Sequence, residues 1–162
     1  MVASWRSALK EGRCAETGEL LDTSSGAHRD TVVGIAFSAD GKQAASVGYD
    51  GRVAIWNPSS RELITAFKGH LLGAHRVTFS PDNRRLATVS VGREAVRLWD
   101  VSTHRELITL AGQASSIAFV AFSPDGCWLA ACGEEGKLYL WRAPSWAEIE
   151  AAEKSPQSRP SP

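Results

Sequence analysis

Apolar residues in this chain alternate with polar ones or come in short runs, and each run is closed by turn-forming residues. This is the pattern of strands. Val32 to Phe37 predicts a first strand, and the Asp40-Gly41 pair a tight turn. Gln43 to Val47 predicts a second strand. Gly48-Tyr49-Asp50-Gly51 then turns the chain again, its glycines free to take positive φ. Val53 to Trp56 predicts a third strand, Asn57 to Ser60 a loop, and Leu63 to Phe67 a fourth strand. Such short connections leave neighbouring strands antiparallel, so the unit is a four-stranded meander.

The unit recurs. Trp56, Trp99 and Trp141 are 43 and 42 residues apart, and Phe37, Phe79 and Phe122 are 42 and 43 apart. Each phenylalanine opens a turn: Phe37-Ser38-Ala39-Asp40-Gly41, Phe79-Ser80-Pro81-Asp82-Asn83 and Phe122-Ser123-Pro124-Asp125-Gly126. Arg61-Glu62-Leu63-Ile64-Thr65 returns unchanged as Arg105-Glu106-Leu107-Ile108-Thr109. His28, His70 and Gln113 each stand nine residues before the phenylalanine of their copy. Four landmarks in register across three copies establish a repeat architecture.

These residues resemble the WD40 repeat family: the GH-type pairs Ala27-His28 and Gly69-His70, the FSPDG-type turns, and the strand-ending Trp56, Trp99 and Trp141. Only Trp99-Asp100 spells the dipeptide after which the family is named; Trp56-Asn57 and Trp141-Arg142 are variants. The resemblance covers roughly residues 18–142, and its close, Leu140 to Trp146, looks like that of bacterial WD40 chains. It implies an all-β chain: a partial β-propeller of about three four-stranded antiparallel blades, with a short C-terminal helix.

The resemblance also implies a buried tetrad fastening each blade. The first copy carries all four members: His28, Ser46, Asp50 and Trp56. His, Ser and Asp invite a catalytic-triad reading, but these types recur at fixed blade positions instead of converging once in a pocket, so the expected role is structural. The second copy keeps His70 and Trp99 and has Arg93 where Asp50 stood. The third has Gln113, Ala131 and Glu135, and keeps only Trp141. Packing is therefore expected to hold the later blades, through Val77, Phe79, Leu86, Val89, Val96 and Leu98 in one, and Phe119, Phe122, Leu129, Leu138 and Leu140 in the other. Cys132 is expected as a small core residue.

Residues 26–142 hold the three repeats. Residues 1–25 read as the remnant of a preceding blade, because Met1 to Trp5 aligns with Arg52 to Trp56, and Gly18-Glu19-Leu20-Leu21 with Arg61-Glu62-Leu63-Ile64. Residues 143–154 predict a helix opened by a capping-box pair, Ser145 and Glu148. Residues 155–162 have the composition of a disordered tail. A closed propeller takes about four to eight blades, so three imply either missing blades or self-association to complete the ring.

Composition narrows the function. The 162 residues carry 18 Lys+Arg and 18 Asp+Glu, and this zero net charge argues against nucleic acid as the main partner. No apolar run approaches the roughly 20 residues needed to span a bilayer, and Met1 to Arg6 does not read as a secretory signal. A cytoplasmic chain without cofactor or metal is expected, since its three cysteines and its histidines lack ligand spacing. No phosphate-loop, dinucleotide or zinc-protease motif occurs, so no catalytic residue is assigned. The expected function is a non-catalytic scaffold for a protein or peptide partner, with no role at a membrane. Its candidate binding face carries Arg29, Asp30, Tyr49, Leu71, Leu72, Arg93 and Glu134. The alternatives are a regulatory module of a longer bacterial Ser/Thr kinase-type protein and, more weakly, a propeller-type hydrolase.

Overall fold

The structure is a computed structural model that describes residues 26–90, 96–110, 117–133 and 136–142. The expected preceding-blade remnant at 1–25, the helix at 143–154 and the tail at 155–162 lie outside the described residues. Eleven strands run through the described part in three antiparallel sheets. The first sheet has the order β1 (Val32–Phe37), β2 (Ala44–Gly48), β3 (Arg52–Asn57), β4 (Glu62–Lys68). The second has the order β5 (Ala74–Phe79), β6 (Arg85–Ser90), β7 (Val96–Asp100), β8 (Glu106–Leu110). The third places β10 (Trp128–Gly133) between β9 (Ile117–Phe122) and β11 (Leu138–Arg142).

The turn after each first strand explains the repeated phenylalanine motif. The Ser38 hydroxyl donates to Asp40 (2.8 Å) and accepts the N–H of Gln43 (2.9 Å), while the N–H of Ser38 reaches the carbonyl of Gln43 (2.9 Å). Ser80 with Asp82 and Arg85, and Ser123 with Asp125 and Trp128, repeat this arrangement. The fourth turn residue must have positive φ, and Gly41 (68°), Asn83 (60°) and Gly126 (72°) supply it at low steric cost. Gln43 is thus part of the turn closure, which is why β2 starts at Ala44, one residue later than the apolar pattern predicts.

A second turn explains the residue after the strand-ending tryptophan in the first two copies. Asp100 accepts the backbone N–H groups of Ser102 (3.0 Å) and Thr103 (2.7 Å). Asn57 does the same for Ser59 (2.9 Å) and Ser60 (3.2 Å), so the Trp56-Asn57 variant keeps the acceptor that the turn needs.

Strand alternation gives every sheet two apolar faces. In the second sheet Val77, Phe79, Leu86 and Trp99 pack on Ala45, Val47 and Val53 of the first. Its opposite face, with Ala87, Val89, Val96 and Leu98, packs on Val120, Leu129 and Ala131 of the third. The innermost strands β1, β5 and β9 lie side by side in that order. Polar links cross the same seams: Ala39 N–H donates to Asn83 Oδ1 (2.7 Å), and Arg85 reaches the Gly126 carbonyl (3.1 Å) with its guanidinium over the Phe122 ring.

The expected core of the third copy requires correction. Leu129 is fully buried, but Phe119, Leu138 and Leu140 are exposed, and Phe122 and Cys132 are only half-buried. Leu138 and Leu140 occupy the face that a further sheet would cover, and no sheet of the described residues does so.

Burying a Leu side chain contributes about 1.5–3 kcal/mol, and cavities left by truncation add to the loss. Leu86→Ala, at the first seam, is therefore expected to cost about 2–5 kcal/mol. Leu63→Ala, on the exposed side of β4, should cost less than about 1 kcal/mol. Urea midpoints of the two variants check the ordering.

Candidate functional site

The first copy assembles its polar residues from four places. Ser46 is central in β2 and Trp56 near the end of β3; His28 precedes β1, and Asp50 sits in the turn between β2 and β3. Trp56 Nε1–H donates to Ser46 Oγ (2.9 Å), Ser46 Oγ lies 2.8 Å from His28 Nε2, and His28 Nδ1 lies 3.2 Å from Asp50 Oδ1. One assignment of hydrogens satisfies the whole chain: the Ser46 hydroxyl donates to Nε2, and Nδ1–H donates to the carboxylate. Burial pushes the Asp50 carboxyl upward. The backbone N–H groups of Arg29 (2.7 Å) and Arg52 (3.0 Å), with the His28 ring, outweigh it and hold Asp50 below the usual carboxylate range.

This connectivity matches a Ser-His-Asp relay, but its chemistry differs. Ser46 is buried and its oxygen already receives the Trp56 indole N–H, so the hydroxyl neither faces a cleft nor has room for a reacting carbonyl. The arrangement cross-braces β2, β3 and the segment before β1.

The second copy uses Thr88 where the first uses Ser46. His70 Nε2 lies 2.7 Å from Thr88 Oγ1, and Trp99 Nε1–H donates to the same oxygen (2.8 Å). The apolar pattern left Thr88 unassigned; its offset of 42 residues from Ser46 was the available signal. His70 is fully buried, and among the described residues its Nδ1 has no hydrogen-bond partner. Burial, with the nearby cations Arg97, His75 and Lys68, pushes the His70 pKa down to about 4. Arg97 stands where the first copy has Ala54, and bonds the Gly69 carbonyl (2.8 Å) and Glu106 (3.2 Å). In the third copy Ala131 provides no hydroxyl, and Trp141 stacks on Tyr139 instead (5.9 Å between ring centroids).

Above the first network the chain builds an exposed face. The N–H of Tyr49 donates to the Thr31 carbonyl (3.0 Å), which lays Arg29-Asp30-Thr31 beside Tyr49-Asp50. Tyr49 is half exposed, lies edge-on to the His75 ring (5.4 Å) and packs close to Gly73, where a Cβ would come within 3.0 Å of it. Gly51 takes φ 70° and accepts the N–H groups of Gly69 and His70 (both 2.9 Å); a Cβ there would meet the carbonyls of His70 and Leu72. The loop bearing Leu71 and Leu72 is thereby held against the β2–β3 turn. Leu71 is 76% exposed and Leu72 more than half. The structure therefore brings Arg29, Asp30, Tyr49, Leu71 and Leu72 to one face. Arg93 and Glu134 lie outside the described residues.

On the other end of the sheets, the turns of the first and second copies enclose an open groove of about 490 Å³. Asp40, Lys42, Arg84 and Asp100 line it with mixed charge. Among the described residues no three His, Cys, Asp or Glu side chains are placed to hold a metal ion, and no helix is long and apolar enough to cross a membrane.

Comparison with known proteins places these observations. The family described as WD domain, G-beta repeat, matches residues 18–57, 61–100 and 104–142. The target of rapamycin complex subunit wat1 of Schizosaccharomyces pombe is 34% identical over 104 residues, 62% of this chain and 32% of that protein. An uncharacterized WD repeat-containing protein of Synechocystis is 32% identical over 157 residues, covering 70% of this chain and 45% of that protein. The small ribosomal subunit protein RACK1 of Caenorhabditis elegans is 32% identical over 126 residues, 76% of this chain and 38% of its own length. The chain thus spans between a third and a half of these relatives.

Two outcomes follow from the geometry. His28→Ala or Asp50→Ala strands a buried polar partner and is expected to cost about 1–3 kcal/mol. Chemical denaturation reads the loss, and the network's structural role fails if either variant melts like the parent.

His70 gives a pH dependence. The unfolded imidazole takes up a proton near its ordinary value of 6.5, while the folded one resists until about 4. Stability is then complete above pH 6.5 and declines as the pH falls through 6.5 toward 4, by up to about 3 kcal/mol. In His70→Asn, which keeps a polar group without the titration, the urea midpoint should change far less between pH 7 and pH 4.5.

Proposed function

Because the chain belongs to the WD40 repeat family, we propose that it is a non-catalytic scaffold that binds a protein or peptide on the face carrying Tyr49, Leu71 and Leu72. The observation that carries this reading is the exposed Leu71-Leu72 pair on a loop fastened to its neighbour through Gly51. Adjacent exposed aliphatics have no solvation reason to stand on a rigid loop, whereas a partner's apolar side chain would cover them. Tyr49 offers a rigid, amphipathic anchor beside them, and Arg29 and Asp30 supply the polar rim.

The relatives support this reading in kind: one is named as a target of rapamycin complex subunit and another as a small ribosomal subunit protein. The buried, doubly bonded Ser46 hydroxyl weighs against the hydrolase alternative. In the kinase-type alternative the same face would hold a regulatory contact within a longer protein.

Affinity capture from cell extract with the parent chain, Leu71→Ser/Leu72→Ser and Tyr49→Ala tests the face. A lost anchor of about 2 kcal/mol weakens capture roughly thirtyfold while the melting midpoint stays put. Capture of the same protein at parental strength by both variants would refute the assignment.

A further inference from the structure

The two seams inside the molecule are copies of one interface. At each, the forward face of one sheet meets the backward face of the next. The backward face is led by the pair Val77 and Phe79 in the second sheet, 8% and 7% exposed. The same positions in the first sheet are Ile35 and Phe37, 65% and 61% exposed. The forward face is led by Val96 and Leu98 in the second sheet, 0% and 8% exposed. Its equivalents in the third sheet are Leu138 and Leu140, 66% and 59% exposed. Among the described residues there are therefore one exposed backward face and one exposed forward face, the two halves of the seam formed twice internally.

We propose that these faces dock on each other between two copies of this chain, head to tail. Leu138 and Leu140 of one copy then pack on Ile35 and Phe37 of the other, as Val96 and Leu98 pack on the third sheet. The backbone edge points the same way. β3 and β7 each have a fourth strand beside them, whereas β11 ends its sheet with no strand of the described residues on its outer side. The contact is heterologous, so it either closes into a ring or continues into a fibre. Two copies bring six sheets, within the range of about four to eight in which such rings close.

Static light scattering after size exclusion tests this with the 162-residue chain at micromolar concentration. The expected species has twice the 17.4 kDa chain mass. Phe37→Asp and Leu140→Asp, both on exposed side chains, should each give folded monomer, with β-sheet circular dichroism retained. An equimolar mixture of the two variants keeps one intact seam per pair and should recover the double-mass species at raised concentration. A parent chain that runs as a monomer overturns the proposal. So does a dimer that both variants leave intact, and a mixture that stays monomeric while the parent dimerises overturns the head-to-tail arrangement. The milder Leu138→Ser and Ile35→Ser repeat the test should either aspartate variant lose its sheet signal.

Discussion

Every other feature of this molecule depends on the burial of two unlike faces of each sheet against its neighbours. A lone four-stranded meander has apolar side chains on both sides and cannot remove both from water. Stacking solves this for the middle sheet, where Leu86, Ala87, Val89 and Val96 are all fully buried. The solution is directional, because the backward face carries the aromatic residues Phe79 and Trp99 while the forward face carries the aliphatic Ala87, Val89, Val96 and Leu98. Unlike faces that fit each other let successive sheets interdigitate. That asymmetry leaves unlike faces at the two ends.

The polar network is subordinate to that packing, and its variation across the copies shows how. A hydroxyl central in the second strand lies under the tryptophan of the third in two copies, and the indole N–H needs it because the ring is at least partly withdrawn from water. Where Ala131 removes the hydroxyl, Trp141 stacks on Tyr139. The histidine adds a second brace where an acid completes it, as Asp50 does for His28. His70 keeps the bond to Thr88 but, among the described residues, has no partner for Nδ1; burial first, and the charge of Arg97 next, favour its neutral form. The same residue type is thus braced by an acid in one sheet and left buried without one in the next, where it adds a sensitivity to acid.

Much of this was legible in the chain because repeats convert position into structure. The strand sequence, the antiparallel order and the partners His28, Ser46, Asp50 and Trp56 could be read from spacing and resemblance, since each copy tests the reading of the others. Thr88 escaped because a threonine in an apolar strand looks like strand propensity. The misassigned core of the third copy has a different cause. Periodicity shows that Leu138 and Leu140 share a face, but it cannot show whether another sheet covers that face. Burial is a property of the neighbour, and the neighbour was assumed from the pattern. The exposure of Leu71 was open for the same reason, since a loop leucine carries no period to place it.

The link from fold to function runs through backbone hydrogen bonds at the loop end of the sheets. Gly51 matters here because its positive φ and missing side chain let the His70 and Leu72 carbonyls come close to the β2–β3 turn. The N–H groups of Gly69 and His70 both end on the Gly51 carbonyl, so the loop is tied at its base before Leu71 leaves the surface. Tyr49 is tied in turn by its N–H to Thr31 and by its ring against His75. Three exposed apolar side chains therefore stand on backbone that the sheets immobilise, and little conformational entropy remains to be lost when a partner covers them. In the proposed scaffold role affinity would arise from this preorganisation, and the buried braces beneath the loops would contribute by keeping that surface in one shape.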